Sequence, residues 1–424
     1  MLFTGAVGAT AQGNPDAEPE KFSLHFQTTF VSQEHDSFRS PYQGQNSLLP
    51  GREVKNTFTH TLFLGWRAWS SGEIYWNPEI AYGRGFSDVT GLAGFPNGEI
   101  AKAISPDPTL YQARAFLRQT FGLGGGTGFA PGEQNQLAAR YDAARVVITL
   151  GNFSALDIFD DNRYAHEPRE QFLNWALVTN GAWDFPADAR GYTRGGAIEY
   201  ITPGWALRYG RLLMPREANG LQLDPKSRGE VVELERQHRL GERDGAARAL
   251  FFSNEARMGS YRQTLDNAAP GLDLAQTAAY RRKYGWAVNV EQELASWAGA
   301  FMRLGWNDGR SETFAWTEID RHFSVGVSLK GAAWGRQGDV LGIAAMRNGL
   351  SEDHRDFLAA GGHGFIIGDG ALNYGTERIL ESYYSLAVTC RTSATFDFQH
   401  VSSPAYNRDR GPVNIGSLRL HYGF

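Results

Sequence analysis

From residue 22 onward, apolar and polar residues alternate with a period of two, in segments of about 9 to 11 residues. In "GWAVNVEQEL", Trp286, Val288, Val290 and Leu294 share one face, interrupted only by Gln292, while Asn289, Glu291 and Glu293 share the other. "LYQARAFLRQT" sets Gln112, Arg114 and Arg118 against Tyr111, Ala113, Ala115 and Leu117. "LFFSNEARM" sets Ser253, Glu255 and Arg257 against Phe252, Ala256 and Met258, and "ATFDFQH" sets Thr395, Asp397 and Gln399 against Phe396 and Phe398. The terminal "GSLRLHYGF" places Leu418, Leu420, Tyr422 and Phe424 opposite Arg419, His421 and Gly423. Such segments predict strands with one apolar and one charged face, as required between lipid and water.

The spacers fall into two classes. Ser70-Ser71-Gly72, Thr202-Pro203-Gly204 and Arg391-Thr392-Ser393 read as tight turns, whereas residues 36–56, 84–109, 155–191, 216–229 and 259–284 form long connections. This asymmetry predicts an all-β fold: a transmembrane antiparallel β-barrel of about 16 strands, with 18 possible, short periplasmic turns and long extracellular loops. Residues 22–424 form its single domain. The count is ambiguous at 349–376, where "LSEDHRDFLAAGG" reads as a short periplasmic helix capped by Ser351 and "HGFIIGDG" as a short strand or a loop. A soluble β-sandwich would alternate similarly, with its charges either buried in a dry core or on a solvated face. The loop asymmetry and the terminal aromatic favour the barrel.

Composition changes the picture in three places. Fifty glycines and 13% aromatic residues accompany 42% hydrophobic residues and a mean hydropathy of -0.39, a combination that a barrel with a wet lumen and aromatic girdles reconciles. No apolar run reaches the roughly 18 residues that a spanning helix needs. The net charge of -5 argues against a nucleic-acid partner, and the single cysteine, Cys390, cannot close an internal disulfide. The first 21 residues read as a signal-peptide remnant and tail, with Ala9-Thr10-Ala11 as a small-x-small cleavage pattern but no basic segment before it.

Long stretches of the chain resemble the carbohydrate-selective porin family of the OprB type. They include "YQGQNSL", "LGWRAWSSGEIYWNPEIAYGRGFSDVTGLAGFPNGE", "GNFSALDIFDDNRYAHEPREQFLNWALVTNGAWDFPADARGYTRG", "RYGRLLMPREANGLQLD", "KGAAWGRQGDVLGIA", "GDGALNYGTERILESYYSL" and "DFQHVSSPAYNRDRGPVNIGSLRLHYGF". The resemblance runs from about residue 24 to Phe424 and implies a channel of about 16 strands in the outer membrane of a Gram-negative bacterium, passing sugars passively into the periplasm. It also implies that Phe424 belongs to the signal read by the barrel assembly machinery.

A sugar channel needs hydroxyl partners that release as readily as they bind. The predicted pore-lining residues are Arg114, Arg118, Arg257 and Arg303 as donors, with Glu199, Glu235, Glu255, Glu291, Glu293 and Asp397 as acceptors. For each singly, pairing across the lumen that stiffens the wall is the better explanation, whereas as a set they define a polar channel. The segment 155–191 is expected to fold inward as the constriction, offering Asp160, Asp161, Asn162, Arg163, Arg169, Asn174, Trp175 and Trp183. The two tryptophans fit packed anchors as well as sugar platforms. No cofactor, metal or catalytic stretch is expected, and the expected partners are carbohydrate, outer-membrane lipid and lipopolysaccharide, as a monomer or trimer. A polysaccharide exporter would call for a basic lumen, which this mixed set is not. A closed lectin or anchoring barrel is the other alternative.

Overall fold

The computed structural model describes residues 19–103, 105–267, 270–316 and 318–424. The cleavage pattern at Ala9-Thr10-Ala11 lies outside them. Eighteen strands form among the described residues: β1 (Phe22–His35), β2 (Glu53–Trp69), β3 (Gly72–Gly83), β4 (Thr109–Gly122), β5 (Thr127–Ala130), β6 (Ala139–Asp142), β7 (Arg145–Phe153), β8 (Thr193–Ile201) and β9 (Trp205–Pro215) in the first half. The second half contributes β10 (Leu223–Leu240), β11 (Arg243–Met258), β12 (Ala279–Ala295), β13 (Ala298–Asn307), β14 (Arg321–Lys330), β15 (Val340–Gly349), β16 (Glu377–Ala387), β17 (Thr392–Ser402) and β18 (Val413–Gly423). Helices are short: α1 (Trp175–Val178), α2 (Tyr261–Asp266) and α3 (Glu352–Ala359).

Sixteen of the strands close into one antiparallel barrel in which each pairs with its sequence neighbour, β4 pairs with β7, and β18 closes on β1. At the seam, Phe26 N donates to the Phe424 carbonyl at 3.1 Å and Phe424 N returns a bond to Phe26 at 3.0 Å. Strands β5 and β6 form a separate two-stranded hairpin off the barrel. Closure removes every sheet edge that lipid would otherwise leave unpaired.

The outer surface carries exposed Trp66, Trp69 and Trp297 toward the short-turn end and Tyr280, Tyr284 and Phe323 toward the long-loop end, the two interfacial belts of a membrane barrel. Loops pack into part of the interior. Phe95, Trp175, Phe185 and Trp316 from three different loops stack, with Trp175 and Trp316 ring centroids 4.8 Å apart and Phe185 and Trp316 5.2 Å apart.

Three details depart from the expected pattern, and the ambiguity at 349–376 resolves as a loop. Helix α3 is capped by Ser351, whose side chain accepts from His354 N, but it lies at the long-loop end and not on the periplasmic side, because β15 and β16 flank it there. No strand forms between β15 and β16, so that segment does not span. The last tight turn falls at 388–391, ahead of the expected Arg391-Thr392-Ser393, because Thr392 and Ser393 already pair with β18. Finally, the register of β4 against β3 steps from Asn77↔Arg114 to Pro78↔Gln112, so that Ala113 is an extra, bulged residue. The bulge reverses the faces before it: Tyr111 points inward to bond Glu79, and Gln112 points outward, opposite to the expected alternation.

Candidate channel lining and constriction

The connection between β7 and β8, residues 154–192, descends into the lumen and is held by polar side chains around the barrel wall. It begins on a capping box, with Ser154 accepting from Leu156 N and Asp157 reaching back to Ser154 N. Asp160 N donates to Glu233 at 2.8 Å, Arg163 N to Glu291 at 2.6 Å, and Leu173 N and Asn174 N to Glu381 at 2.5 and 3.1 Å. Asn162 bonds Asn289 across 2.7 Å. From the opposite wall, Arg419 on β18 donates to the carbonyls of Pro168 and Gln171 at 2.7 and 2.8 Å. A lowered loop brings many backbone N–H and C=O groups away from bulk water, and these partners satisfy them. Glycines on β13 make room: a Cβ at Gly299 would collide with the Tyr164 ring and one at Gly305 with Asn180.

Within this loop the expected residues take three placements. Asp161 and Arg169 face an internal cavity. Arg163 is partly exposed and stays near Glu291, with 3.9 Å between its Nε and the carboxylate. Asp160, Asn162, Asn174, Trp175 and Trp183 are buried in the anchor. Asp160 receives Arg303 at 3.2 Å and Asn180 N at 2.6 Å, and Asn174 caps α1 while donating to Gly94 O and Gln399. Trp183 packs edge-on against Phe159, 6.3 Å between centroids, so neither tryptophan offers a face to the cavity.

The wall residues are distributed unevenly. Arg114 makes a two-pronged pair with Asp157 at 2.6 and 2.7 Å at the cavity edge. Arg118 lies over the Tyr75 and Phe116 rings, 5.1 and 5.4 Å from their centroids, and donates to Asn135 O at 2.9 Å. Glu199 lines the same cavity and pairs with Arg208 at 3.0 Å. Glu235 and Glu291 are buried in a network in which Arg208 reaches Glu233 and Glu235, and Arg248 reaches Glu235 at 2.9 Å and Glu291 at 3.4 Å. Arg303 points inward and donates to the Leu177 carbonyl at 2.7 Å, Glu293 pairs with Arg243 at 2.9 Å, and Asp397 accepts from Gln399 at 3.1 Å.

Glu255 and Arg257 are corrections. On β11 it is Phe252, Asn254, Ala256 and Met258 that are buried inside, with Asn254 donating to Asp184 O, whereas Phe251, on the parity of Glu255 and Arg257, is 61% exposed. Glu255 instead pairs with Arg228 on the outer surface at 2.7 Å. Two consecutive phenylalanines make either parity look apolar, and this strand, like β10, is longer than the bilayer requires, so its outer end carries charge on the outward face.

Arg145, Arg208, Glu73 and the clamping carboxylates Glu233 and Glu381 were not anticipated; they share the parity of the inward residues on their strands, which is the signal that could have found them. Lys102 and Tyr192, in loops, join Glu79 and Arg169 in a buried cluster, with Lys102 donating to the Tyr192 hydroxyl at 3.2 Å. Burial opposes the Arg169 charge, but Glu99, Glu167 and Glu79 outweigh it and raise its pKa well above the ordinary guanidinium value.

The cavity, about 280 Å³, lies between the inward loop and the β5–β6 hairpin. Arg114, Arg118, Arg145, Arg169 and Arg208 face it together with Glu73, Glu133, Asp157, Asp161, Glu167 and Glu199, and Phe116, Phe129 and Tyr141 add ring surfaces. A closed barrel with a lipid-facing belt, an inward-folded loop and a polar interior defines an outer-membrane diffusion channel. The family model described as "Carbohydrate-selective porin, OprB family" matches residues 63–424, and the chain belongs to that family. The protein is therefore a carbohydrate-selective porin of the outer membrane of a Gram-negative bacterium, and its family and fold are those of a channel.

Solved structures agree on the fold. The high-pH structure of Pseudomonas putida OprB superposes with a TM-score of 0.71 at 15% identity, covering 95% of this chain and 94% of that one. Its low-pH structure gives 0.52 at 12% identity, covering 95% and 93%. The outer-membrane channel DcaP of Acinetobacter baumannii gives 0.53 at 9% identity, covering 95% and 97%. A search of proteins with curated function returns no match.

Proposed function

We propose that mono- and small oligosaccharides cross through the cavity beneath the inward loop, with Arg114, Arg118, Arg145 and Arg208 donating to sugar hydroxyls and Glu199, Glu167 and Asp161 accepting from them. The observation that carries this reading is the even mixture of guanidinium and carboxylate groups around one cavity, with arginines held over aromatic rings. Mixed charge offers both donors and acceptors to a neutral polyol while giving no single-signed ion a preferred path. Phe116 and Tyr141 give the C–H face of a pyranose an apolar surface.

Glu235, Glu291, Arg303 and Asp397 serve in this reading as the rigid frame that holds the loop, and Asp160, Asn162, Asn174, Trp175 and Trp183 as its anchor. Single-channel recording in a planar bilayer tests the proposal, with glucose and maltotriose titrated into the chamber. Stable openings that sugar blocks saturably are expected, and Arg118→Ala should weaken the block on the order of tenfold, as loss of one charge-assisted hydrogen bond of about 1.5 kcal/mol implies. Openings indifferent to sugar at any concentration would sink it.

A further inference from the structure

We infer that the β5–β6 hairpin is a second selectivity element: a fixed floor at the short-turn end that bounds the sugar cavity and limits the length of neutral saccharide that passes. The inference rests on the diffusion reading above. Every other connection at that end is a turn of a few residues or, between β14 and β15, a nine-residue link with one 3-10 turn at Gly331–Trp334, none of which lines the cavity. Here the two arms of the connection are already paired before the hairpin starts. Leu123 N bonds Ala144 O, Ala144 N bonds Gly124 O and Ala143 N bonds Gly126 O, each at 2.9 Å, directly beyond the Gly122↔Arg145 pair of the barrel. A plain turn at that point would close the barrel equally well, so residues 127–142 are an addition.

The addition enters the lumen. Gly124, Gly125 and Gly126 all have positive φ, 81°, 79° and 102°, which lets the backbone fold back over the inner wall. The hairpin then crosses the inner faces of β3, β2 and β1 in turn. Leu137 N donates to the Tyr75 hydroxyl at 3.1 Å, Arg67 donates to Ala138 O at 3.1 Å, and the Gln134 and Gln27 amides meet at 3.1 Å. Asn135 O receives Arg118, and Glu20 clasps Ala138 from both backbone sides at 2.9 and 2.8 Å. Ties to four separate elements make it a fixed wall rather than a flap.

Its tip supplies one side of the cavity, whose opposite side is the inward loop: Phe129, Pro131, Glu133, Gln134, Asn135 and Gln136 all line it. Amide and carboxylate side chains beside a phenyl ring match the hydroxyls and the C–H face of a sugar, as the wall does. A solute that has passed the inward loop therefore meets a second narrowing before the periplasm. Saccharides longer than the space between the two must bend around the tip.

The test is a variant lacking residues 127–142, with Gly126 joined to Ala143, checked for assembly by heat-modifiable gel mobility and compared with the full chain by conductance and by liposome swelling in glucose, maltose and maltotriose. Conductance should rise at least about twofold, and the ratio of maltotriose to glucose flux should rise several-fold. A folded deletion variant with unchanged conductance and an unchanged flux ratio would overturn the proposal. Should the deletion fail to assemble, Gln136→Trp decides: glucose flux falls several-fold if the tip borders the path, and unchanged flux overturns the idea. A full-length barrel that conducts nothing would overturn the diffusion reading itself, and the floor with it.

Discussion

At the scale of single residues, the wall carboxylates act on backbone as much as on any solute. Glu233, Glu291, Glu377 and Glu381 each accept N–H groups from loops lowered into the barrel, and Glu377 alone gathers Ala93, Gly94 and Ala405. A carboxyl group carries two acceptor oxygens and can take two such groups at once, which suits a loop whose N–H groups have lost water. Glu381→Ala should leave Leu173 N and Asn174 N unpaired, at a cost of about 1–3 kcal/mol, and loosen the loop without unfolding the barrel. Single-channel traces of that variant should show increased current flicker and faster proteolysis within 154–192. Glu381→Gln, which keeps one carbonyl acceptor, should fall between it and the wild type; traces as quiet as wild type in Glu381→Ala would remove the clamp from the account.

Elements explain why some of the design was legible and some was not. Alternation identified the faces of β12, β17 and β18, where the polar row does lie inside and Phe396 and Phe398 are 61% and 46% exposed. It misread β4 ahead of its bulge and β11 beyond the bilayer, because parity carries information only while the ladder is regular and the outer face meets lipid. The inward loop was legible from its length and polar content, but which of its residues face the cavity depends on packing that no local pattern records. Strands β5 and β6 are four residues each, too short to announce themselves by period; the glycine run "GLGGGTG", on the side where short turns belong, is the signal that could have found them. Cysteine substitution separates the two parities of the wall. In a Cys390→Ser background, a bulky membrane-impermeant thiol reagent should block most of the current through Arg118→Cys and leave the current through Arg257→Cys unchanged within about 10%. Block of the second variant would return the outer end of β11 to the lumen.

For the whole molecule, the net field along the pore follows from how its charges are paired. Arg114 is tied to Asp157, Arg303 to Asp160, Arg169 to Glu99 and Glu79, and Arg208 to three glutamates, so the strongest positive centres are each met by nearby negative ones. Close opposite charges cancel at distance, and a water-filled lumen screens what is left within about 10 Å at 0.1 M salt. Such a channel should discriminate by hydroxyl bonding and shape while hardly distinguishing potassium from chloride. In a tenfold KCl gradient the reversal potential should lie within about 20 mV of zero, against roughly 59 mV for an ideally selective pore. Arg118→Glu, which reverses one unit of charge at a cavity-facing position, should move it toward the cation-selective limit by several millivolts. A wild-type value close to the anion-selective limit would instead fit a lumen built for acidic polymers, and the neutral-sugar reading would have to give way to the exporter.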